Sequence, residues 1–207
     1  MTPSEFAQQF DVSRETLRRL EAYVDLLIHW NSRINLVGPG TLDAVWKRHI
    51  ADSAQLLDLA PPDAQSWIDL GSGAGLPGLP VAAIAAEKAP SLQMTLVESD
   101  ARKAAFLRSA AREAALEIIV EARRIESMPL RRYDVVSARA LAPLDRLCSL
   151  AFRFAGPGTV FLFPKGARLD SELTEAARHW HIHAQRIASR TEPAATILRI
   201  LELEPRS

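Results

Sequence analysis

Ser66-Trp67-Ile68-Asp69-Leu70-Gly71-Ser72-Gly73-Ala74-Gly75-Leu76-Pro77-Gly78-Leu79-Pro80 is the stretch from which the rest of the chain is read. An apolar strand runs into a turn with glycine at every second position. An alanine-rich amphipathic helix is expected from about Leu76 to Lys88. Gly71, Gly73 and Gly75 let the backbone take positive φ and let a ligand approach the main chain without striking a Cβ. Pro77 suits a first helical turn, where its missing N–H is no loss. The expected product is a ring of free N–H groups at a helix start, the ground plan of a nucleotide-binding turn. A plain strand-to-helix turn needs one glycine, not four between Gly71 and Gly78. The spacing is G-x-G-x-G and not the G-x-G-x-x-G of dinucleotide sites, and Asp69 stands just before it, within reach of a polar ligand group.

Composition narrows what surrounds this turn. The chain has 207 residues, 48% hydrophobic and 24% charged, enough for one good core or one core plus a small appendage. Its single cysteine, Cys148, excludes an internal disulfide and a cysteine-based zinc site and suits a reducing compartment. No apolar run has the length of a membrane span and no basic-then-apolar leader is visible, so the expected location is cytoplasmic, with no membrane partner. Formal net charge is zero, and lysine occurs only at positions 47, 88, 103 and 165, the other basic residues being arginine. Total charge therefore says nothing about nucleic acid, and any RNA-binding claim rests on a local patch.

Upstream of the glycine turn, residues 1–62 read as a helical segment packed on a core domain spanning 63–207. A short segment around Pro3 to Phe10 precedes Ser13, an N-cap with Glu15 in the first turn, and Leu17, Leu20, Val24, Leu27 and Ile28 then recur at helical spacing to about Trp30 or Asn31. After a turn at Gly38-Pro39-Gly40, Thr41 reads as the cap of a helix that carries Leu42, Val45, Trp46, Ile50, Leu56 and Leu57 up to Pro61-Pro62. Arg48, His49, Asp52 and Ser53 cluster within it. By spacing alone, Arg48 and Asp52 make an i,i+4 ion pair on a solvated face, with His49 a bystander.

Downstream, strands and helices alternate. Gln93 to Glu98 is a short strand ending in a carboxylate, where a nucleotide's ribose hydroxyls are held, which makes Glu98 the ribose candidate. Asp100 caps the next helix. The strand Leu116 to Glu121 leads to Arg123-Arg124-Ile125-Glu126, a candidate adenine edge because ligands of open parallel sheets sit outside the C-terminal strand ends. Tyr133 to Ser137 is the fourth strand, and Arg139 lies just beyond its tip, a costly place for arginine unless something polar or anionic meets it. Thr159 to Phe163 leads to Pro164-Lys165-Gly166 at the same edge. A helix around Ser171 to Trp180 and two strands, near His181 to Ile187 and Thr196 to Leu203, complete the chain. His179, His181 and His183 alternate without a carboxylate or cysteine at metal spacing, so no metal is expected. The fold class is α/β, a seven-stranded, doubly wound Rossmann-like sheet of the methyltransferase kind, its last two strands an antiparallel hairpin.

These residues resemble the bacterial small-subunit ribosomal RNA methyltransferase G family, also called the glucose-inhibited division protein B family. The resemblance rests on Trp30-Asn31 with Asn35-Leu36, Arg48-His49-Ile50 with Asp52-Ser53, Asp69 to Pro80, Arg102 to Leu107, Ser137 to Ala140, and Lys165-Gly166. Glu98 stands where that family usually has aspartate, and Ala138 separates Ser137 from Arg139 where the family commonly has the pair adjacent. The resemblance implies a class I enzyme using S-adenosylmethionine, with Gly71, Leu76, Ile125, Glu126 and Arg139 toward the cofactor, beside Gly73, Gly75 and Glu98 from the turn and strand readings above. It implies 7-methylguanosine in the decoding-region loop of 16S ribosomal RNA as product, and 16S RNA or the small ribosomal subunit as partner of a monomer. Asn35, Arg48, His49 and Lys165 are then expected toward the substrate, with Arg139 or Lys165 available for the guanine position-6 oxygen. No acid/base pair stands out, and none is needed, because the position-7 nitrogen has a free lone pair at neutral pH. A nicotinamide-dependent enzyme on the same sheet, or a non-catalytic RNA-binding or ribosome-assembly protein, are the alternatives.

Overall fold

A computed structural model describes residues 1–206, Pro39 by its backbone alone. Seven strands, β1 (Ser66–Leu70), β2 (Gln93–Val97), β3 (Ile118–Glu121), β4 (Val135–Ser137), β5 (Val160–Lys165), β6 (Trp180–Ala188) and β7 (Thr196–Pro205), form one sheet in the order 3-2-1-4-5-7-6. The first five are parallel, and β7 runs antiparallel between β5 and β6. Strand order reverses at β1, so a crevice opens at the C-terminal ends of β1 and β4, where ligands of open α/β sheets bind.

Burial on both faces explains the apolar runs of the central strands. Trp67 of β1 and Leu162 of β5 belong to the core on one face, and Ile68, Phe161 and Phe163 to the core on the other. The first core takes helices α1 (Pro3–Phe10), α2 (Arg14–Asn31), α4 (Gly78–Lys88) and α5 (Ala101–Glu113), contributing Phe6, Leu20, Leu79 and Phe106. The second takes α6 (Leu144–Ala151) and α7 (Leu169–Ala176) through Leu147 and Leu169. Helix α1 starts in a capping box of Thr2 with Glu5, α2 under Ser13, and α5 under Asp100, each cap accepting from first-turn N–H groups.

Several expected boundaries give way. Residues 41 to 57 are not one helix. A 3₁₀ turn (Pro39–Ala44), a π-helical turn (Trp46–Ala51), the single α-turn α3 (Asp52–Ala54) and a second 3₁₀ turn (Leu57–Leu59) follow one another. Thr41 caps nothing there. Its hydroxyl donates to the Gly38 carbonyl at 2.7 Å and meets His49 Nε2 at 2.7 Å, so polar contacts of this stretch override regular helix. Helix α4 starts at Gly78, with Pro77 at the cap position, because the Gly75 and Leu76 N–H groups first close a turn onto the Ser72 carbonyl. Helix α7 stops at Ala176, and Trp180, whose ring packs against Phe152 at 5.6 Å, opens β6 instead of ending a helix.

Candidate functional site

The loop after β1 is shaped by its own backbone. Gly71 (φ 65°) passes so close to Leu141 that a Cβ there would lie 2.5 Å from its Cδ1, and at Gly75 (φ 83°) a Cβ would strike Leu79. The expected ring of free N–H groups is mostly engaged. Ser72 N donates to the Val97 carbonyl at 3.0 Å, Gly73 N to Glu98 Oε2 at 2.9 Å, and Gly75 N to the Ser72 carbonyl at 2.7 Å. This is a close-approach surface with an ordered backbone and not an anion cradle. From outside the loop, Tyr23 of α2 donates its buried hydroxyl to the Ala74 carbonyl at 2.7 Å, and burial raises the Tyr23 pKa so that the phenol stays neutral.

Asp69 lines neither of the cavities at the sheet's C-terminal edge. It is fully buried beneath the loop, accepting from Ser137 Oγ at 2.7 Å, and that hydroxyl accepts in turn from Trp67 Nε1 at 2.8 Å. Burial pushes the Asp69 carboxyl up to about 6, against the lowering effect of the Ser137 and Ser72 bonds. The triad ties the tips of β1 and β4 together below the crevice.

A first cavity of about 450 Å³ opens over this floor, lined by Gly71, Gly73, Glu98, Ile125, Glu126 and Leu141 among others. Glu98 lies at its edge with Oε2 on Gly73 N and Oε1 on Asp100 N at 2.8 Å, leaving each oxygen a further acceptor position. Ile125 and Glu126 reach the cavity from a 3₁₀ turn (Ile125–Ser127) after β3. Gly75 and Leu76 are buried under the loop and support it from below.

A second cavity of about 790 Å³ lies beyond the tips of β4 and β5, lined by Arg139, Lys165, Gly166 and Glu172. Residues Ala140, Leu141 and Ala142 line both cavities and form their shared wall, with Ala140 at φ 53° turning the chain away from β4. Arg139 stands on the second side of this wall. Its Nη2 donates to His49 Nδ1 at 2.9 Å, and its Nη1 lies 3.4 Å from Asp52 Oδ2 and 3.4 Å from the Arg48 carbonyl. Because Nδ1 accepts from Arg139, His49 is neutral with its proton on Nε2, which donates to Thr41 Oγ1. Burial, then the Arg139 and Arg48 charges, lower the His49 pKa to about 4, consistent with that tautomer.

Asp52 pairs with Arg139 and not with Arg48. Its Oδ1 also accepts from Thr191 Oγ1 at 2.8 Å and Gln55 Nε2 at 3.1 Å, so one carboxylate joins the N-terminal segment, the loop after β4 and the β6–β7 loop. Arg48 itself is exposed. Among the sequence candidates, Lys165 lies in the second cavity and His49 behind it with both ring nitrogens engaged. Asn35 does not join them: it sits with Arg33, Arg102 and Lys103 in a separate depression, and Lys103 also lines the first cavity. Sequence reading did not single out Tyr23, Ser137, Glu172 or Thr191. Ser137 and Asp52 lie inside stretches that carry the family resemblance, whereas nothing local marks Glu172. The Cys148 thiol is buried and pushed up to about 12, unsuited to act as a nucleophile. No cluster of three or more metal-ligating side chains occurs among the described residues, and no helix is long and apolar enough to cross a membrane.

Residues 16–196 match the family model described as rRNA small subunit methyltransferase G. The chain is 51% identical over 194 residues to a ribosomal RNA small subunit methyltransferase G of Cereibacter sphaeroides, covering 94% of this chain and 93% of that one. It is 48% identical to a protein of the same description from Rhodospirillum centenum, covering 98% and 92%. Solved structures with a similar fold include an O-methyltransferase from Bacillus cereus in complex with SAH, at TM-score 0.56 and 14% identity over 87% of this chain and 90% of that one. Another is ribosomal protein L11 methylase from Lactobacillus delbrueckii subsp. bulgaricus, at TM-score 0.57 and 12% identity over 75% and 77%.

Proposed function

The chain belongs to the rRNA small subunit methyltransferase G family, and from that premise we propose that it methylates the position-7 nitrogen of a guanosine in the decoding-region loop of 16S ribosomal RNA. It is an enzyme of the S-adenosylmethionine-dependent class, with ribosomal RNA as substrate. The observation that carries the reading is the pair of cavities meeting across residues 140 to 142 at the C-terminal edge of the sheet.

The first cavity fits the methyl donor. At Gly73, where an added Cβ would have only the Gly71 carbonyl within 4 Å, the cavity has open space for a ligand against bare backbone, while Leu141 packs against Gly71 at its wall. Glu98 would hold the ribose hydroxyls through its remaining acceptor positions, while Ile125 and Glu126 would edge the adenine. The donor supplies an electrophilic methyl on a sulfonium. The protein's work is then alignment, because the guanine N7 lone pair needs no base to free it. Arg139, gripped by neutral His49 and by Asp52, keeps a fixed cationic donor on the substrate side of the wall. Lys165 would donate to the guanine O6. Exposed Arg48, together with Asn35, Arg33 and Arg102 at the separate depression, would meet RNA phosphates.

In this reading residues 1–62 form a helical cover on the catalytic domain 63–207. The protein works as a monomer in the cytoplasm, where ribosomal RNA is found.

The test is to incubate the protein with methyl-labelled S-adenosylmethionine and small ribosomal subunits from a strain lacking it, then to digest the RNA. Labelled 7-methylguanosine is the expected product. Absence of label in RNA, with donor binding confirmed separately, rejects the reading.

A further inference from the structure

Lys165 and Glu172 form an ion pair at 2.7 Å in the second cavity, with side chains only 10% and 18% exposed. Their bonding leaves a particular remainder. Lys165 Nζ donates to Glu172 Oε2 and to the Ala142 carbonyl at 3.3 Å, so one of its three donors is left over. Glu172 Oε2 accepts from Lys165 and from Leu144 N at 2.9 Å, the first N–H of α6. Among the described residues no protein donor reaches Oε1. The pair is thus held from α6, β5 and the shared wall, and presents one cationic N–H beside one carboxylate oxygen.

Building on the guanine reading above, we propose that Glu172 is the specificity-determining residue for the substrate base, its Oε1 accepting from guanine N1–H and the N2 amino group while Lys165 donates to O6. The order of groups matches only one purine. Guanine presents acceptor, donor, donor along O6, N1 and N2, whereas adenine in the same pose sets its N6 amino donor against the Lys165 ammonium and its N1 acceptor against the carboxylate. With N1, N2 and O6 engaged, N7 stays unpaired on the neighbouring edge beside O6, free to face the shared wall at Ala140 to Ala142.

The contact also strengthens during the reaction. As the N7 lone pair forms its bond to the methyl carbon, the sulfur–methyl bond breaks and leaves its electron pair on sulfur, so the positive charge passes to the purine. N1–H and the N2 amino group become better donors to Glu172 as that happens, and the carboxylate stabilises the transition state more than the ground state.

The test uses small subunits reconstituted with 16S RNA carrying guanosine or inosine at the methylated position. Inosine keeps O6, N1–H and N7 and lacks only the N2 amino group. The wild-type protein is expected to prefer guanosine about tenfold or more in kcat/KM, the scale of one lost base-edge contact. Glu172→Gln is expected to slow guanosine methylation about tenfold or more and to bring the preference near unity. Filter binding without methyl donor gives the same ratio a second reading, with the wild-type preference lost in the variant. A merely structural Glu172, acting through Leu144 N and Lys165, slows both RNAs by one factor and keeps the preference, which overturns the proposal. So does a wild-type protein indifferent to the swap, a result that needs no variant to fold. Failure of the wild type to label guanosine subunits at all is a different outcome and rejects the underlying methylation reading.

Discussion

The two cavities flanking residues 140 to 142 are held by different kinds of bond. Backbone makes the first: positive-φ glycines, N–H groups closing turns within residues 72 to 76, and one carboxylate 25 residues on that receives Gly73 N. The second is made by side chains distant in sequence, since Arg139 meets His49 across 90 positions and Asp52 meets Thr191 across 139. A cavity bounded by backbone suits a ligand whose shape never varies. One bounded by paired charges suits a substrate that must be recognised by its hydrogen-bonding edge, and its contacts are costly to lose because partners stay behind buried.

Substitutions can break this contrast. Gly73→Asp has the largest expected effect. Aspartate tolerates the left-handed conformation at φ 54° with no backbone clash, but its carboxylate would crowd Glu98 and the ligand surface. S-adenosylhomocysteine should then no longer raise the melting temperature, with the fold retained; near wild-type methylation by this variant would move the donor site elsewhere. Asp52→Ala should do the reverse. It strands Arg139, Thr191 and Gln55, costs about 2–3 kcal/mol in urea melts, and lowers RNA methylation while donor affinity stays near normal. Equal loss of donor binding and RNA methylation in that variant would show that the two regions are not separable.

Acid probes both regions with opposite signs. Folded Asp69 takes its proton near 6, against a usual 3.8, so lowering pH through 6 favours the folded state at that site. Folded His49 takes its proton only near 4, against 6.5, so lowering pH from 6.5 favours unfolding there. The stability of Asp69→Asn relative to wild type should therefore fall by about 2 kcal/mol between pH 7 and pH 4, and that of His49→Gln should rise. Urea melts at the two pH values decide it, and a gap that ignores pH in either variant removes that residue from the account. The smallest effect is expected for Tyr23→Phe. It leaves the Ala74 carbonyl unpaired, costing about 1 kcal/mol and weakening S-adenosylhomocysteine binding by a few-fold. Unchanged donor affinity would make the loop independent of the N-terminal helices.

Legibility followed the same division. The strand from Ser66, the glycine loop, the position of Glu98 after β2 and the loop that carries Ile125 after β3 could be read because each is a local pattern whose physics is set within a few residues. The run from Thr41 to Leu57 could not. Its apolar spacing suits a helix, yet His49 and Asp52 take partners just beyond β4 and in the β6–β7 loop, and the backbone widens into a π turn to let them. Likewise Arg48 and Asp52 have the spacing of an ion pair, but Arg139 offers Asp52 a less solvated partner.

By itself, then, the sequence determined the α/β class, the position of the glycine turn and the carboxylate at the end of β2, because backbone preference and hydrophobic period act over short range. Only the tertiary structure decided that Asp69 is buried under the loop, that Arg139 turns toward His49, and that Glu172 sits beside Lys165. Those outcomes depend on which charged groups share a desolvated space, and no pattern along the chain encodes that distance.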